Sequence, residues 1–428
     1  MTKQEILHAR RERLFPAELH YYGEPLVITH AKGAAVFDID GKQYIDFFGG
    51  ILVISVGHCN DEVNARIQRQ LDTLAHTSTL FATQPPVELA SKIARLSPGG
   101  KLAKCFFSNS GTEANEMAVL AARAATGASE IVALRYGYHG RSGLAMSMSG
   151  QSTWRVGTQP SPGFAFAHNA YCYRCPHGLE YPSCDVRCAN DVEDVIRTQT
   201  SGRPAAFIAE PIQGAGGFIT PPKEYFARVA EIVRRRGGLF IADEVQTAWG
   251  RTGTWFGIEH WGVQPDIITS AKGMGNGFPV AMTAVRADIA DRVPKMTIST
   301  FGGSPLAAEA ANAVIDYIEK HNLPAHAARQ GAYLRERLER LKAQFPLIGD
   351  VRGMGLMQAL ELVKNRQSRE PAVEETAKIM ELGRERGILF GEGGLDGNVL
   401  RLAPPLTITR AEIDEFLSRL ENSFAAIK

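Results

Sequence analysis

Lys272 stands at the mouth of a loop that is half glycine, in ITSAKGMGNGFPVA (268–281), between two apolar runs. An amine placed there attacks a carbonyl if its surroundings keep it deprotonated. Upstream, GGLFIADEVQTAWGRTG ends an apolar strand on Asp243 and Glu244. A carboxylate in that position is either a solvated strand-end acid or the partner of a cation. A third stretch, FFSNSGTEANEMA, runs from a strand into Ser110, Gly111 and Thr112 and then into a helix, with Ser110 and Glu113 at the spacing of a capping box. It reads either as a well-capped helix or as an anion cradle, in which helix N-terminal N–H groups, a glycine and two hydroxyls surround a phosphate. GMGNG lacks the dinucleotide spacing, and the loop has no Gly-Lys-Ser/Thr, so the phosphate comes without a nucleotide. An amine, an acid and an anion cradle at successive strand ends meet the three demands of pyridoxal 5′-phosphate. The amine condenses with its aldehyde, the acid keeps its pyridine nitrogen protonated, and the cradle holds its phosphate.

Those positions act together only if one sheet presents them. Short apolar runs, KCFF (104–107), EIVAL (130–134), AAFIA (205–209), GLFIA (238–242) and DIITS (266–270), alternate with helix-periodic segments such as EANEMAVLAARAAT and KEYFARVAEIVRRRG. The pattern predicts an α/β domain with a mostly parallel sheet, whose ligands gather beyond the carboxyl ends of the strands. From about residue 325 a long helix leads into strand-like IGDVRGMGLMQALELV, another helix and LRLAPPLTI, which predicts a smaller α+β domain. The expected organisation is an N-terminal segment over 1–55 packing with the small domain, a large α/β domain over 56–324, and the small domain over 325–428. A chain of 428 residues, 44% hydrophobic, can bury a large core, and its net charge of +1 recruits neither nucleic acid nor an anionic membrane. A small-molecule substrate is expected. The N-terminus MTKQEILHARRERLF interleaves charged and apolar residues, and no later stretch reaches bilayer-spanning length, so the expectation is a cytoplasmic chain with six reduced cysteines.

The chain resembles the class III (ω-amino acid) aminotransferases of the fold-type I pyridoxal-phosphate superfamily. The matching stretches, in the family's order, are DGKQYIDFFGGILVISVGH, NSGTEANEMA, RYGYHGRS, AEPIQGAGG, ADEVQTAWGRTG, ITSAKGMGNGFP, STFGGSP and RLAPPLTI. Within the family the nearest likeness is to the alanine–glyoxylate / β-alanine–pyruvate type, carried by VISVGHCN, HTSTLF and KGMGNGFP. The resemblance implies a seven-stranded-type sheet between helices plus the smaller C-terminal domain. It makes Lys272 the lysine that joins the cofactor and moves a proton between substrate Cα and cofactor C4′. Asp243 then pairs with the pyridinium nitrogen, Tyr138 stacks on one face of the ring unless it is plain core packing, and Val245 covers the other. Gln246 meets the ring hydroxyl, and Ser110, Gly111 and Thr112 hold the phosphate. Thr300 reaches that phosphate from a second subunit, which implies a homodimer or a dimer of dimers.

The same resemblance bears on substrate. Arg401 matches an arginine that pairs with an α-carboxylate, and Glu210 the acid that holds it aside when the substrate has none. Ile51, Leu52, Leu80 and Phe81 fall in stretches that line the substrate pocket as an apolar wall. The expected donor is a short ω-amino acid, a simple amine or alanine, and the acceptor a 2-oxo acid such as pyruvate or glyoxylate. The alternative is a lyase using the same cofactor on an amino-alcohol phosphate or aminophosphonate, with Arg141 as its only evident cation. A cofactor-binding regulator without turnover sits poorly with the joint presence of Lys272, Asp243 and Arg401. Ala248 and Trp249 depart from the family's VQTGxGRTG. A larger departure is an insertion over about 168–190, where Cys172, Cys175, Cys184 and Cys188 have C-x2-C-x8-C-x3-C spacing. Four thiols so spaced suit a structural Zn²⁺, or else are small buried hydrophobes. His139 is left open between a structural and a catalytic role.

Overall fold

A computed structural model of the chain describes residues 1–157 and 161–427. Seven strands form its main sheet, in the order Lys104–Ser108, Ala281–Val285, Ile267–Ser270, Leu239–Asp243, Ala206–Ala209, Ile131–Leu134 and Phe164–Ala167. Ala281–Val285 runs antiparallel to both of its neighbours, and every other pairing is parallel. The five apolar runs legible in the sequence are all strands here. The two it missed are FAFA and AMTAV, four and five residues long and rich in alanine, whose strand character comes from burial between neighbours rather than from propensity. Ile131–Leu134, Ala206–Ala209 and Ile267–Ser270 are buried along their whole length, as a parallel sheet covered on both faces requires.

Helices follow the strands in the expected places. Gly111–Thr126 leaves the first strand, with Ser110 Oγ accepting the Glu113 N–H at 3.3 Å. Only half of a capping box forms, because Glu113 turns its carboxylate to the Asn109 N–H instead. Tyr225–Arg235 packs its apolar stripe, Tyr225, Phe226, Val229 and Val233 among others, against the sheet. The strand-like stretch after Leu323–Gln344 is an antiparallel hairpin of Ile348–Met354 and Met357–Asn365, continued by Val399–Leu402 and Gly391–Gly393. Near the N-terminus, Ile28–Lys32, Ala35–Asp38 and Gln43–Asp46 form a sheet whose fourth strand is Ile388–Leu389. Among the described residues, no helix is long and apolar enough to cross a membrane.

Trp249, a departure from the family pattern, is a core residue. It is 1% exposed, its ring lies 5.4 Å from that of Phe256, and its indole N–H donates to Ser270 Oγ at 2.8 Å. Its φ of +63° places a bulky side chain in the left-handed region, which that burial and hydrogen bond stabilise.

Candidate active site

Strand ends of the main sheet converge on a cavity of about 410 Å³. Leu239–Asp243 delivers Asp243, and Val245 and Gln246 follow in the turn after it. Ile267–Ser270 ends two residues before Lys272, which opens a short 3₁₀ turn with φ +46°. The glycines behind Lys272 let the turn fold tightly: a Cβ on Gly275 would fall 2.2 Å from the Phe278 carbonyl oxygen. Ser110, Gly111 and Thr112 line the same cavity where the helix Gly111–Thr126 begins, and the first N–H groups of a helix have no partner within it. A Cβ on Gly111 would sit 2.9 Å from Val245 Cγ2, so a side chain there would require Val245 to move. Tyr138 and Glu210 complete the group.

Asp243 is pinned from behind. Its Oδ2 accepts a hydrogen bond from Asn115 Nδ2 at 2.8 Å and faces His139 Nδ1 at 2.7 Å, while Oδ1 accepts from the Val245 N–H at 3.1 Å. Asn115 also donates to the His139 carbonyl and accepts from Thr269, so one amide orients both partners. Burial would lower the His139 pKa, but its hydrogen bond and proximity to Asp243 raise it instead. Neither residue was identified from sequence as serving Asp243. The signal was there in NSGTEANEMA and YGYHG, but only the tertiary contact shows what they hold.

Surrounding protein pushes the Lys272 amine down to about 8, against the pull of Asp243 and Glu210 and with the repulsion of Arg401. The unfolded lysine titrates near 10.5, so between about pH 8 and 10.5 the unfolded chain holds the extra proton. Stability of the cofactor-free chain therefore gains as pH rises through that window, and the cost is full below about pH 8. The same shift sets reactivity. In stopped-flow absorbance, capture of an added aldehyde cofactor by cofactor-free protein should speed up to about pH 8 and then level; a rate still climbing at pH 10 would mean an ordinary lysine.

Glu210 is buried, and burial raises its pKa, with His139 opposing and Asp243 reinforcing the rise. Both its oxygens are taken by the main chain: Oε1 by the Tyr138 N–H at 3.0 Å and Oε2 by the Gly214 N–H at 2.7 Å. Arg401 is also buried, between the rings of Phe48 and Phe218, and donates to the Glu392 carbonyl, the Gly214 carbonyl and the Tyr21 hydroxyl. The direct Glu210–Arg401 pairing expected from the resemblance is therefore not made. The two meet through the Gly214 residue, whose N–H serves one and whose carbonyl serves the other.

Other expected site residues stand away from the cavity. Leu52 is 2% exposed and packed in the core, whereas Ile51, Leu80 and Phe81 are exposed, so in this single chain they form no apolar wall. Thr300 is exposed as well. The four cysteines need a correction. Cys172, Cys175, Cys184 and Cys188 are free thiols around one small cavity, but they do not bring three sulfurs within reach of a common ion. The sequence spacing fixes their separation along the chain, not the direction of their side chains. Cys172 and Cys175 flank a 3₁₀ turn, and Cys188 sits in the first turn of the helix Arg187–Gln199. Among the described residues, the only gathering of potential ligands is His168, His177 and Asp191. There Asp191 already accepts the His168 main-chain N–H at 2.7 Å and lies 3.0 Å from its Nδ1, which anchors the end of the strand Phe164–Ala167.

The cavity fits pyridoxal phosphate on its own polar groups: a helix start for the phosphate, a lysine amine of lowered pKa, a pinned carboxylate, and Gln246 Oε1, which is buried without a hydrogen-bond partner in a residue lining the cavity. Residues 20–424 match the family "Aminotransferase class-III". The chain belongs to the class III aminotransferases. It is 40% identical over 421 residues to an alanine–glyoxylate aminotransferase 2 homolog of Arabidopsis thaliana, covering 98% of this chain and 87% of that one. It is also 39% identical over 432 residues to a leucine/methionine racemase of Thermococcus litoralis, covering 100% and 97%. Among solved structures, an amine transaminase from an uncultivated Pseudomonas species with pyridoxal phosphate bound superposes with a TM-score of 0.91 at 34% identity over 97% of this chain and 98% of that one. A phospholyase from Arthrobacter in complex with phosphoethanolamine gives 0.92 at 31% identity over 99% and 100%. Class III aminotransferases use pyridoxal phosphate.

Proposed function

We propose that this class III aminotransferase moves an amino group from alanine, a short ω-amino acid or a simple amine to a 2-oxo acid, pyruvate or glyoxylate, in two ping-pong half-reactions. The observation that carries the substrate reading is Arg401, a buried guanidinium joined to Glu210 by a single residue and with two of its five N–H donors left over. Such a planar fork suits the α-carboxylate that alanine and pyruvate share. The likeness to an alanine–glyoxylate aminotransferase supports the same choice.

Bound pyridoxal phosphate supplies an electron sink for negative charge developing at the substrate Cα. The chain does the rest. Ser110, Gly111 and Thr112 would hold the phosphate and Asp243 would keep a proton on the ring nitrogen, with Asn115 and His139 keeping Asp243 aimed. Tyr138 and Val245, which line the cavity, would confine the ring, and Gln246 would take its hydroxyl. Lys272 Nζ would move a proton between the substrate Cα and the cofactor C4′. Thr300 serves in this reading from a second copy of the chain. In support, Thr300 lies beside exposed Met296, Ile298 and Phe301, and the rings of Phe301 and His76 are 5.0 Å apart, bringing that stretch beside the one that carries exposed Leu74, Leu80 and Phe81. Light scattering should return the mass of two chains or four, and a single-chain mass would remove this part.

A second reading, ammonia elimination from an amino-alcohol phosphate or aminophosphonate, has Arg141 in its favour, because Arg141 lines the cavity and could meet a second phosphate. A panel of amines, ω-amino acids and alanine offered with pyruvate, scored by keto product, separates the two. Transamination predicts turnover with one or more donors. Ammonia release from phosphoethanolamine with no product from any donor would decide for the lyase.

A further inference from the structure

The loop between Glu210 and the helix Tyr225–Arg235 touches Glu210 and Gln246, which line the cavity, and Arg401 beside them. Gln213 and Ile219 close it as an antiparallel bridge. Inside it, the Gly214 N–H holds Glu210, the Gly214 carbonyl holds Arg401, and a Cβ on Gly214 would fall 2.3 Å from Gln246 Nε2. With Gly214, Gly216 and Gly217 in its span the loop has little stiffness of its own. Its outer end is tied to Arg352.

Arg352, on the strand Ile348–Met354 and 7% exposed, donates from Nε to the Gly217 carbonyl at 2.8 Å. Its Nη1 meets Glu361 at 2.6 Å and Asp350 at 2.9 Å, and its guanidinium lies 4.9 Å from the centre of the Tyr171 ring. Glu361, fully buried, is also bonded by the Tyr171 hydroxyl and by Arg174 Nε, both from the cysteine-bearing segment. A Cβ on Gly217 would come within 3.2 Å of Arg352 and 3.0 Å of Val399, so the loop is held against the strand that carries Arg401.

We propose that Arg352 is a positioning residue for α-carboxylate recognition: it fixes the Gly214–Gly217 backbone and thereby sets Arg401 and Glu210 relative to the cavity. The cysteine-bearing segment takes part by clamping Glu361, the partner that holds Arg352. The inference rests on the substrate reading above, in which Arg401 receives the 2-oxo acid. Arg352 itself touches neither cofactor nor substrate.

Arg352→Lys is the informative variant. A lysine keeps the charge beside Glu361 and Asp350 but cannot serve Glu361 and the Gly217 carbonyl together through a planar fork. The holoenzyme should retain its cofactor absorbance and its rate with a carboxylate-free amine within about twofold, while KM for pyruvate rises about tenfold, the effect of losing one charge-assisted hydrogen bond. An unchanged KM, or an equal loss in both half-reactions, overturns the proposal. If Arg352→Lys yields no soluble holoenzyme, Glu361→Gln tests the same clamp, and the same selective rise in KM, of smaller size, is expected; its absence is equally adverse. Wild type and Arg401→Ala are run alongside. A wild type that ignores pyruvate, or an Arg401→Ala that loses both half-reactions alike, condemns the substrate reading rather than the role of Arg352.

Discussion

Lys272→Ala should abolish transamination, with turnover expected to fall at least ~10⁴-fold, the upper range for losing a positioned acid–base group, before the loss of the covalent attachment is counted. The protein should still bind pyridoxal phosphate, because the helix start at Gly111, Asp243 and Gln246 are untouched. Borohydride treatment of wild type should fix the cofactor to the Lys272 peptide, found by mass spectrometry, and should leave the variant unlabelled. Near-normal turnover in Lys272→Ala would show that the amine at the end of the strand Ile267–Ser270 is not the reacting one.

The second large effect is selective. Arg401→Ala should slow the half-reaction with pyruvate by roughly 30- to 1,000-fold, corresponding to ~2–4 kcal/mol for a buried charge-assisted contact, and should slow the half-reaction with a carboxylate-free amine far less. Part of any common loss comes from the packing of Arg401 between Phe48 and Phe218, so the ratio of the two effects is the quantity to read. Equal losses would make Arg401 a structural residue that braces Gly214 and Glu392.

The parts of the site legible in the sequence are those tied to strand ends. Asp243, Lys272 and the Ser110–Thr112 turn could be placed because an apolar run followed by an unusual polar residue is a local signal, and the sheet brings such ends together. Contacts across the fold were not legible. His139 and Asn115 reach Asp243 from elsewhere in the chain, and Arg352 reaches Gly217 across 135 positions. The cysteine spacing misled for a related reason: it suits a metal along the chain, but side-chain direction depends on where the turn and the helix begin. Glu210 and Arg401, expected to pair, meet only through the glycine residue between them, a feature that backbone geometry alone reveals. Ile51, Leu80 and Phe81 remain exposed in the single chain, so any wall they form needs a partner that their sequence cannot describe.

In the proposed reaction the cavity around Lys272 and Asp243 runs half of a transamination and stores the amino group until an acceptor arrives. Its most direct test is holoenzyme mixed with alanine alone, with pyruvate, ammonia and D-alanine all quantified against cofactor. One pyruvate per site and then arrest is expected, with the original cofactor absorbance restored when glyoxylate or another 2-oxo acid is added. Continuous release of ammonia, or steady accumulation of D-alanine without any acceptor, would contradict it.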